Sequence, residues 1–190
     1  MEYIKDIKDI KYIFNILNME CIYAIDLNNG LSKEQIIPWK SKNDLKFFAD
    51  KTIGNVVIMG KNTYYSLPEK VRPLKNRLNV VLTSNPNETG LNGVIFTNNC
   101  KIYDLILSCR EKYLEMYPFL NRDFKIIIIG GKKIYNDFIP ICDKVWVTQI
   151  KKNYNCDLFL DYDYSKLFKD PLIINEDDEL RISLYEKQYL

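Results

Sequence analysis

The sequence of 190 residues contains no histidine. This absence excludes Ser-His-Asp and Cys-His nucleophile systems, HExxH zinc sites and any imidazole acid or base. The five cysteines form no CxxC pair and no metal-ligand spacing, and their odd number argues against a disulfide framework, so a reducing, cytoplasmic setting is expected. No apolar run is long enough to cross a membrane. Acid–base chemistry must therefore come from a carboxylate, a lysine, a tyrosine or water.

Net charge is also nearly absent, since 27 Lys+Arg stand against 25 Asp+Glu, which gives +2. This balance does not predict a nucleic-acid or membrane-surface partner, so we expect a small-molecule partner. The length suits one domain, expected over residues 16–190. Residues 1–15 place isoleucines at three-residue spacing among Lys and Asp, which predicts an amphipathic helical extension packed on the domain or on a partner. Its charges interrupt the apolar pattern too often for a signal peptide.

The periodicity of the sequence changes abruptly at Gly130-Gly131. The four isoleucines of 126–129 predict a strand covered on both faces, which indicates a largely parallel sheet. Ile134 and Phe138, four residues apart, predict a helix that ends near Pro140. Two glycines before a helix start let a ligand lie on the main chain and favour an anion such as a pyrophosphate. The alternative is a tight turn that carries glycine for packing only.

Strands alternate with helices along the remaining chain, which is typical of an α/β fold. Strands are predicted over 15–25, 55–59, 77–82, 94–96, 144–150 and 181–185, and helices over 43–51, 60–66 and 101–113. The alternating pattern of 181–185 predicts an antiparallel edge strand. The long loop that leads from Asp26 through Trp39 is more typical of a lid or binding loop than of a spacer.

Asp44 is a candidate functional carboxylate. It lies in the first turn of the predicted helix, Phe48 follows four residues later on nearly the same face, and Leu45 borders that face. This spacing puts an acid at the rim of an apolar stripe. The alternative is a capping role, because Ser41-x-x-Asp44 fits a capping box and the helix dipole favours an acid in the first turn.

Two further stretches are candidates for anion binding. The sequence from Gly54 to Gly60-Lys61-Asn62 fails as a P-loop, because five residues separate its glycines and Asn62 replaces the required Ser/Thr. It leaves either a phosphate site or a solvated helix start at the end of a strand. The proline-punctuated loop beyond it carries Arg72 and Arg77, either of which could bind a carboxylate through two parallel hydrogen bonds or lie on the surface.

Together and in order, these motifs resemble the dihydrofolate reductase family over about residues 16–188. The residues that carry the resemblance are Cys21–Ile25, Asn29–Leu31, Pro38-Trp39, Asn43–Phe48, Val57–Thr63, Ser66–Pro68, Arg72–Leu74, Asn76–Thr83, Ile128–Tyr135 and Val147-Thr148. The resemblance implies a single domain with a twisted, mostly parallel eight-stranded sheet, an antiparallel C-terminal edge strand and flanking helices. It also implies NADPH-dependent reduction of 7,8-dihydrofolate to 5,6,7,8-tetrahydrofolate, which supports one-carbon metabolism and thymidylate synthesis.

The resemblance also implies roles for individual residues. Asp44, Trp39 and Thr148 would be catalytic: Asp44 binds the pterin 2-amino group and N3, Thr148 fixes Asp44, and Trp39 lies in the loop that closes over nicotinamide. The folate pocket would be lined by Ile22, Ala24, Leu45, Phe48, Leu67, Leu74, Ile129 and Tyr135, with Arg77 on the α-carboxylate of the glutamate tail. The NADPH site would comprise Ala24, Leu31, Trp39, Gly60, Lys61, Asn62, Thr63, Leu82, Thr83, Ser84, Ile129, Gly130, Gly131, Lys132, Lys133, Ile134 and Tyr135. Ser84 stands where some members have an arginine for the 2′-phosphate, so Lys61, Thr83 and Ser84 would select NADPH over NADH.

The implied ligands are dihydrofolate and antifolate inhibitors, with no nucleic acid and no membrane. A monomer or homodimer is expected, and a fused partner domain is left open. Two other functions are considered: the related reductase of riboflavin synthesis, which lacks the Pro-Trp…Asp and Leu-x-x-Arg combination, and a non-catalytic nucleotide-binding module. The absence of histidine fits a reductase, because hydride transfer needs alignment more than a protein nucleophile.

Overall fold

The computed structural model describes residues 19–86, 92–161 and 163–188. Its strands are β1 Met19–Ile25, β2 Gly30–Ser32, β3 Val56–Gly60, β4 Leu78–Leu82, β5 Val94–Thr97, β6 Ile126–Ile128, β7 Lys144–Ile150, β8 Leu158–Phe159, β9 Leu172–Glu176 and β10 Leu180–Glu186. Eight of them form one sheet in the order β5-β4-β3-β6-β1-β7-β10-β9, and β2 pairs with β8 in a second, two-stranded sheet. The pairings from β5 to β7 are parallel, whereas those of β10 with β7 and β9 are antiparallel.

The helices are short and follow the strands. They are α1 Lys42–Thr52, α2 Lys61–Ser66, α3 Ile102–Ser108, α4 Arg110–Met116 and α5 Lys132–Phe138, and 3-10 turns span Glu69–Val71, Ile139–Ile141 and Ser165–Leu167. None of the described helices combines the length and the apolar character that crossing a bilayer requires. The predicted extension at residues 1–15 and the predicted strand residues 15–18 lie outside the described residues.

The sheet separates two apolar cores because successive side chains of a strand point to opposite faces. On β1, Cys21 belongs to the core covered by α3 and α5, whereas Ile22 belongs to the core on the side of α1 and α2. The isoleucines of β6 divide in the same way, with Ile126 and Ile128 on the first side and Ile127 on the second. This division explains the unbroken apolar run of β6, since both of its faces are buried.

Three sequence-based predictions of secondary structure need correction. The single helix predicted over 101–113 is wrong, because the backbone leaves the helical conformation at Cys109 and a second helix starts there. Arg110, which follows the break, stacks on Phe124 at 4.2 Å and donates to its carbonyl oxygen at 2.9 Å. The periodicity of apolar residues continues through the break and therefore did not reveal it.

The predicted edge strand at 181–185 is antiparallel but lies inside the sheet, where β10 separates β7 from β9. The edge is β9, which was missed because all five of its residues are exposed and its sequence, Leu-Ile-Ile-Asn-Glu, does not alternate. The long loop after β1 also contains unpredicted structure, namely β2 and a bridge between Lys33 and Ile36. β2 forms by pairing with the distant β8, and β9 forms as the outer strand of a hairpin with β10, so in both places pairing rather than a local pattern makes the strand.

Candidate active site

The first turn of α1 places the Asp44 carboxylate beside the sheet. Ser41 caps this helix, since its hydroxyl accepts a hydrogen bond from the Asp44 amide at 3.1 Å and its carbonyl accepts one from the Leu45 amide at 3.2 Å. The capping that the sequence suggested is therefore present, and Ser41 supplies it. The Asp44 side chain interacts instead with Thr148 of β7, so the cap leaves its carboxylate available to the pocket.

The surroundings of Asp44 disfavour its ionised form. Burial raises the pKa of the carboxyl above its ordinary value, the Thr148 hydroxyl and the Trp39 indole N–H partly oppose the increase, and Glu179 adds to it. Thr148 is only 1% exposed, and β1 holds it opposite Ala24. The indole Nε1 of Trp39 is buried and close enough to lower the pKa of Asp44, but it completes no full hydrogen bond with any described residue. The rest of the Trp39 side chain packs against apolar residues, so its indole N–H near Asp44 is still able to donate a hydrogen bond.

Apolar side chains surround this corner. Five of the predicted folate-pocket residues belong to one apolar cluster on the α1 side of the sheet: Ile22, Phe48, Leu67, Leu74 and Ile129. Leu45 is 65% exposed, so it stands at an opening rather than in the wall. Tyr135 lies in the opposite core, and its hydroxyl donates to the carbonyl of Ile22 at 3.0 Å. Tyr135 therefore reaches the pocket edge through the backbone of β1.

Arg77 provides a buried cation next to the same cluster. Its side chain is 8% exposed, and its Nε donates to Thr52 Oγ1 at 2.8 Å while its Nη1 donates to the Lys75 carbonyl at 3.0 Å. Its guanidinium lies 5.8 Å from the centre of the Phe48 ring. Burial lowers its pKa. Within the described part of the chain no carboxylate lies within salt-bridge distance of Arg77, which makes it suited to the carboxylate of a ligand.

Thr52 explains how this arginine is oriented. Its hydroxyl donates to the Phe48 carbonyl at 2.6 Å and accepts from Arg77, so the end of α1 fixes the guanidinium. Asn79, fully buried on β4, uses its side chain to bond both backbone polar groups of Leu74 and the carbonyl of Arg77. Neither role was predicted, because nothing in the local sequence pairs the last residue of α1 with the residue that precedes β4.

The glycines form a strip of bare backbone where β3 and β6 end. The Gly60 amide donates to the Gly130 carbonyl at 2.8 Å, and the peptide bond between Gly130 and Gly131 is cis. A Cβ on Gly130, whose φ is +105°, would approach the Tyr135 ring to 2.8 Å, and a Cβ on Gly131 would lie 2.9 Å from Thr63 Oγ1. Side chains are thus excluded from this strip. It fits a ligand that lies directly on the main chain.

The other predicted cofactor residues surround this strip. Register pairs Gly60 with Leu82, so Thr83 and Ser84 follow at the same edge of the parallel sheet. The two helices that start there contain the other predicted residues, namely Lys61, Asn62, Thr63, Lys132, Lys133 and Ile134. Among the predicted cofactor residues, the side chains of Asn62, Lys133 and Ser84 are exposed. Lys132 Nζ is paired with Asp161 at 2.5 Å. Cations, hydroxyls and a glycine backbone at the carboxyl ends of parallel strands match the chemistry of a dinucleotide phosphate.

Hydrogen bonds to two aspartates hold the loop that contains Leu31 and Trp39. Asp157 accepts a hydrogen bond from the Glu34 amide at 2.9 Å, and its own amide donates to the Ser32 carbonyl at 3.0 Å, which joins β2 to β8. Asp26 is fully buried at the start of the loop; burial alone would raise its pKa, but hydrogen bonds from the amides of Tyr154, Gly30 and Asn28 outweigh it and lower the pKa. The sequence identified Asp26 only as part of a turn. No local signal assigns a partner to Asp157.

The family model described as dihydrofolate reductase matches residues 18–182 of this chain. The chain belongs to the dihydrofolate reductase family. It is 34% identical over 153 residues to the viral dihydrofolate reductase of Saimiriine herpesvirus 2, a match that covers 76% of this chain and 68% of that protein. It is 33% identical over 154 residues to the dihydrofolate reductase of Drosophila melanogaster, covering 76% and 79%. A match of 35% identity to the bifunctional dihydrofolate reductase-thymidylate synthase of Daucus carota covers 74% of this chain and 28% of that protein.

The fold agrees with a solved dihydrofolate reductase. The enzyme of Enterococcus faecalis, in complex with NADP(H) and RAB-propyl, superposes with a TM-score of 0.68 at 26% identity, over 90% of this chain and 96% of that chain. The chain is therefore an NADPH-dependent oxidoreductase that reduces dihydrofolate, and the predicted family, fold class, activity and cofactor are confirmed. The family favours this activity over the reductase of riboflavin synthesis and over a non-catalytic module. The roles of individual residues, the cytoplasmic location and the oligomeric state stay predictions.

Proposed function

We propose that Asp44 anchors the pterin ring of dihydrofolate and that Thr148 holds the Asp44 carboxylate in place. The observation that carries this proposal is a half-buried carboxylate, in an apolar cluster, with no cation within salt-bridge distance among the described residues. Such a group gains most from a ligand that offers hydrogen bonds to both of its oxygens. The 2-amino group and N3 of a pterin do so side by side.

Asp44 would favour protonation of the bound pterin by its charge. A negative group in surroundings of low polarity stabilises a nearby cation more strongly than it would in water. Pterin N5 must gain a proton as C6 is reduced, and water is the proposed donor of that proton. When bound, NADPH supplies the hydride to C6. The chain contributes orientation, exclusion of bulk water and the single charge of Asp44.

The glutamate tail of the substrate would bind to Arg77. The guanidinium is held by Thr52 and by the Lys75 carbonyl, and its remaining N–H groups are available to a carboxylate. A buried cation whose charge no described carboxylate compensates is costly, and a substrate carboxylate would offset that cost. Arg77 therefore supports recognition of the anionic tail, at a distance from the reacting atoms.

NADPH would lie along the strip formed by Gly60, Gly130 and Gly131. Lys61 and Thr63 at one helix start and Lys132 at the other would hold its phosphates. Leu31, in the strand that the Asp157 hydrogen bonds hold against β8, and Trp39, which packs against Tyr154, would cover the nicotinamide end. The strip supports this assignment because its backbone carries no side chain that would keep a ligand away. The contacts that a Cβ at Gly130 or Gly131 would make with Tyr135 and Thr63 mean that packing also requires glycine there.

The test of the proposal is turnover by Asp44→Asn, measured from the decrease in nicotinamide absorbance with NADPH and dihydrofolate. Because the substitution removes the charge that favours the protonated pterin, we expect kcat/KM at neutral pH to fall by roughly 10²–10⁴-fold. Part of the activity should return at acidic pH, where the substrate is already protonated. Asp50→Asn, on the exposed part of the same helix, is the matched control and should leave turnover unchanged. Unaltered neutral-pH turnover in Asp44→Asn would refute the assignment.

A further inference from the structure

A second cavity lies behind the substrate pocket, on the opposite face of the sheet. Tyr23 and Ile25 of β1 alternate with Ile22 and Ala24, so they point away from the Asp44 side. The space next to them has a volume of about 470 Å³ and is bounded by β1, β7, β10 and the residues that follow β8. This volume is in the range of small-molecule sites, about 300–1,000 Å³. The cavity has no part in the reaction proposed above.

Aromatic rings dominate the wall of this cavity. Five of its described lining residues are aromatic: Tyr23, Phe159, Tyr164, Phe168 and Tyr185. Aliphatic side chains of β7, such as Val145 and Val147, form its floor. Aromatic faces carry a negative potential that attracts a cation, and the attraction grows when water is excluded.

The charged residues that line the cavity are both acidic, and one of them is paired with a lysine outside the lining. Asp161 and Asp163 are the only charged residues among the described lining residues, and no lysine or arginine lines it. Burial raises the pKa of the Tyr23 phenol, and nearby acidic groups, including Tyr185 and Asp163, add to the increase. Lys132 and Arg181 lie outside the lining and pair with Asp161 and with Glu176. Burial and Asp163 raise the pKa of the Tyr185 phenol, and Arg181 opposes this increase only in part. The surroundings therefore disfavour an additional negative charge and favour a positive one.

We propose that this cavity is a binding site for a small organic cation, such as a quaternary or protonated amine held between the aromatic faces. The volume accommodates a ligand of this class, the rings supply cation–π contacts, and Asp163 supplies charge of the complementary sign, whereas the charge of Asp161 is already compensated by Lys132. A neutral molecule of the same shape would gain only the apolar contacts. This difference between a cation and its neutral isostere is the distinguishing property of the site.

The position of the cavity also connects it to the loop above the active site. Asn28 and Asn29, which precede β2, and Phe159 of β8 all line it, so a ligand would contact both sides of the β2–β8 pair. A bound cation would therefore stabilise this pair in its present arrangement and, resting on the function proposed above, would change the KM for NADPH. Binding itself does not depend on that function.

The experiment is a calorimetric titration of the full chain with choline and with its neutral isostere 3,3-dimethylbutan-1-ol. We expect choline to bind at least about tenfold more tightly than the alcohol, because only the cation gains the ring interactions. Tyr185→Leu should weaken choline binding by about fivefold or more, whereas Tyr185→Phe retains the ring face and should bind as the unaltered chain does. Phe159→Leu removes a ring at a partly exposed position and provides an independent variant if Tyr185→Leu does not fold. Tyr117→Leu, which changes a ring of the stacked Tyr113–Tyr117 pair outside the cavity, is the control and should not affect binding.

Each outcome is decisive for one claim. Equal affinity for choline and the alcohol, no binding of choline at millimolar concentration, or unchanged binding in folded Tyr185→Leu and Phe159→Leu would overturn the cation site. Binding of choline without any change in the KM for NADPH would retain the site and overturn its connection to the loop. Absence of dihydrofolate turnover without choline would count against the proposed residue roles and leave the binding result intact.

Discussion

The substitution Arg77→Leu separates recognition of the substrate tail from all other steps. Arg77 is 8% exposed, donates to Thr52 and to the Lys75 carbonyl, and has no carboxylate partner among the described residues. A substrate carboxylate would therefore form charge-assisted hydrogen bonds that the free protein does not contain. One hydrogen bond to a charged group contributes about 1.5–3 kcal/mol, and because the two bonds of a bidentate pair are not additive, loss of the pair should cost about 2–3 kcal/mol. This corresponds to an increase in the KM for dihydrofolate of about 30- to 150-fold.

The assay compares steady-state KM values for dihydrofolate and for a reduced pterin substrate that lacks the glutamate tail. Because the tail-less substrate has no carboxylate to offer, Arg77→Leu and the unaltered chain should bind it equally, and the KM for NADPH should stay unchanged. Thermal stability should change little, since the variant removes a buried charge together with its two hydrogen bonds. Arg72→Leu is the matched control in the same loop, because Arg72 is already engaged with the Tyr65 carbonyl. If Arg77→Leu impairs both substrates or NADPH to the same extent, the arginine does not bind the tail.

Three further predictions test the remaining parts of the site. Burial raises the pKa of Asp44 in the folded state, so the free energy of unfolding falls as pH rises from the unfolded pKa of this carboxyl through its folded pKa. Asp44→Asn should therefore raise the melting temperature at pH 7, measured by calorimetry. Below about pH 3.9, where the carboxyl is protonated in both states, the substitution should have no such effect. Asp157→Ala removes the acceptor for the Glu34 amide, so it should raise the KM for NADPH severalfold and increase amide hydrogen exchange in β2. Unchanged exchange in β2 would mean that Asp157 does not hold this strand in place. Gly131→Ala should weaken NADPH binding by tenfold or more, about 1.4 kcal/mol, because the new Cβ would lie 2.9 Å from Thr63 Oγ1. Adding Thr63→Ala should recover part of the lost affinity. If the double variant shows no recovery, the methyl group contacts the ligand and not Thr63.

The sequence by itself determined the local features of this protein. The isoleucine run and the two glycines predict a buried strand, a side-chain-free turn and a helix, and the structure contains all three in that order. The first turn of α1 is also local, since Ser41 caps the helix that places Asp44 at its rim. These features depend on residues within a few positions of one another, where side-chain size and hydrogen-bonding capacity decide the backbone conformation.

Tertiary structure alone decided the partners of these residues. Thr148 reaches Asp44 because β7 lies beside β1, and Thr52 fixes Arg77 because α1 ends next to β4. The edge position of β9 likewise comes from pairing with β10, for which its own exposed and non-alternating sequence gave no sign. The contacts of Thr148 and Thr52 join segments that are distant in the chain, and β9 lies at the edge because its hairpin partner β10 pairs with β7 on the other side, so each feature depends on how the whole sheet is ordered. A local pattern contains no information about that order, because the same pattern is compatible with many neighbours.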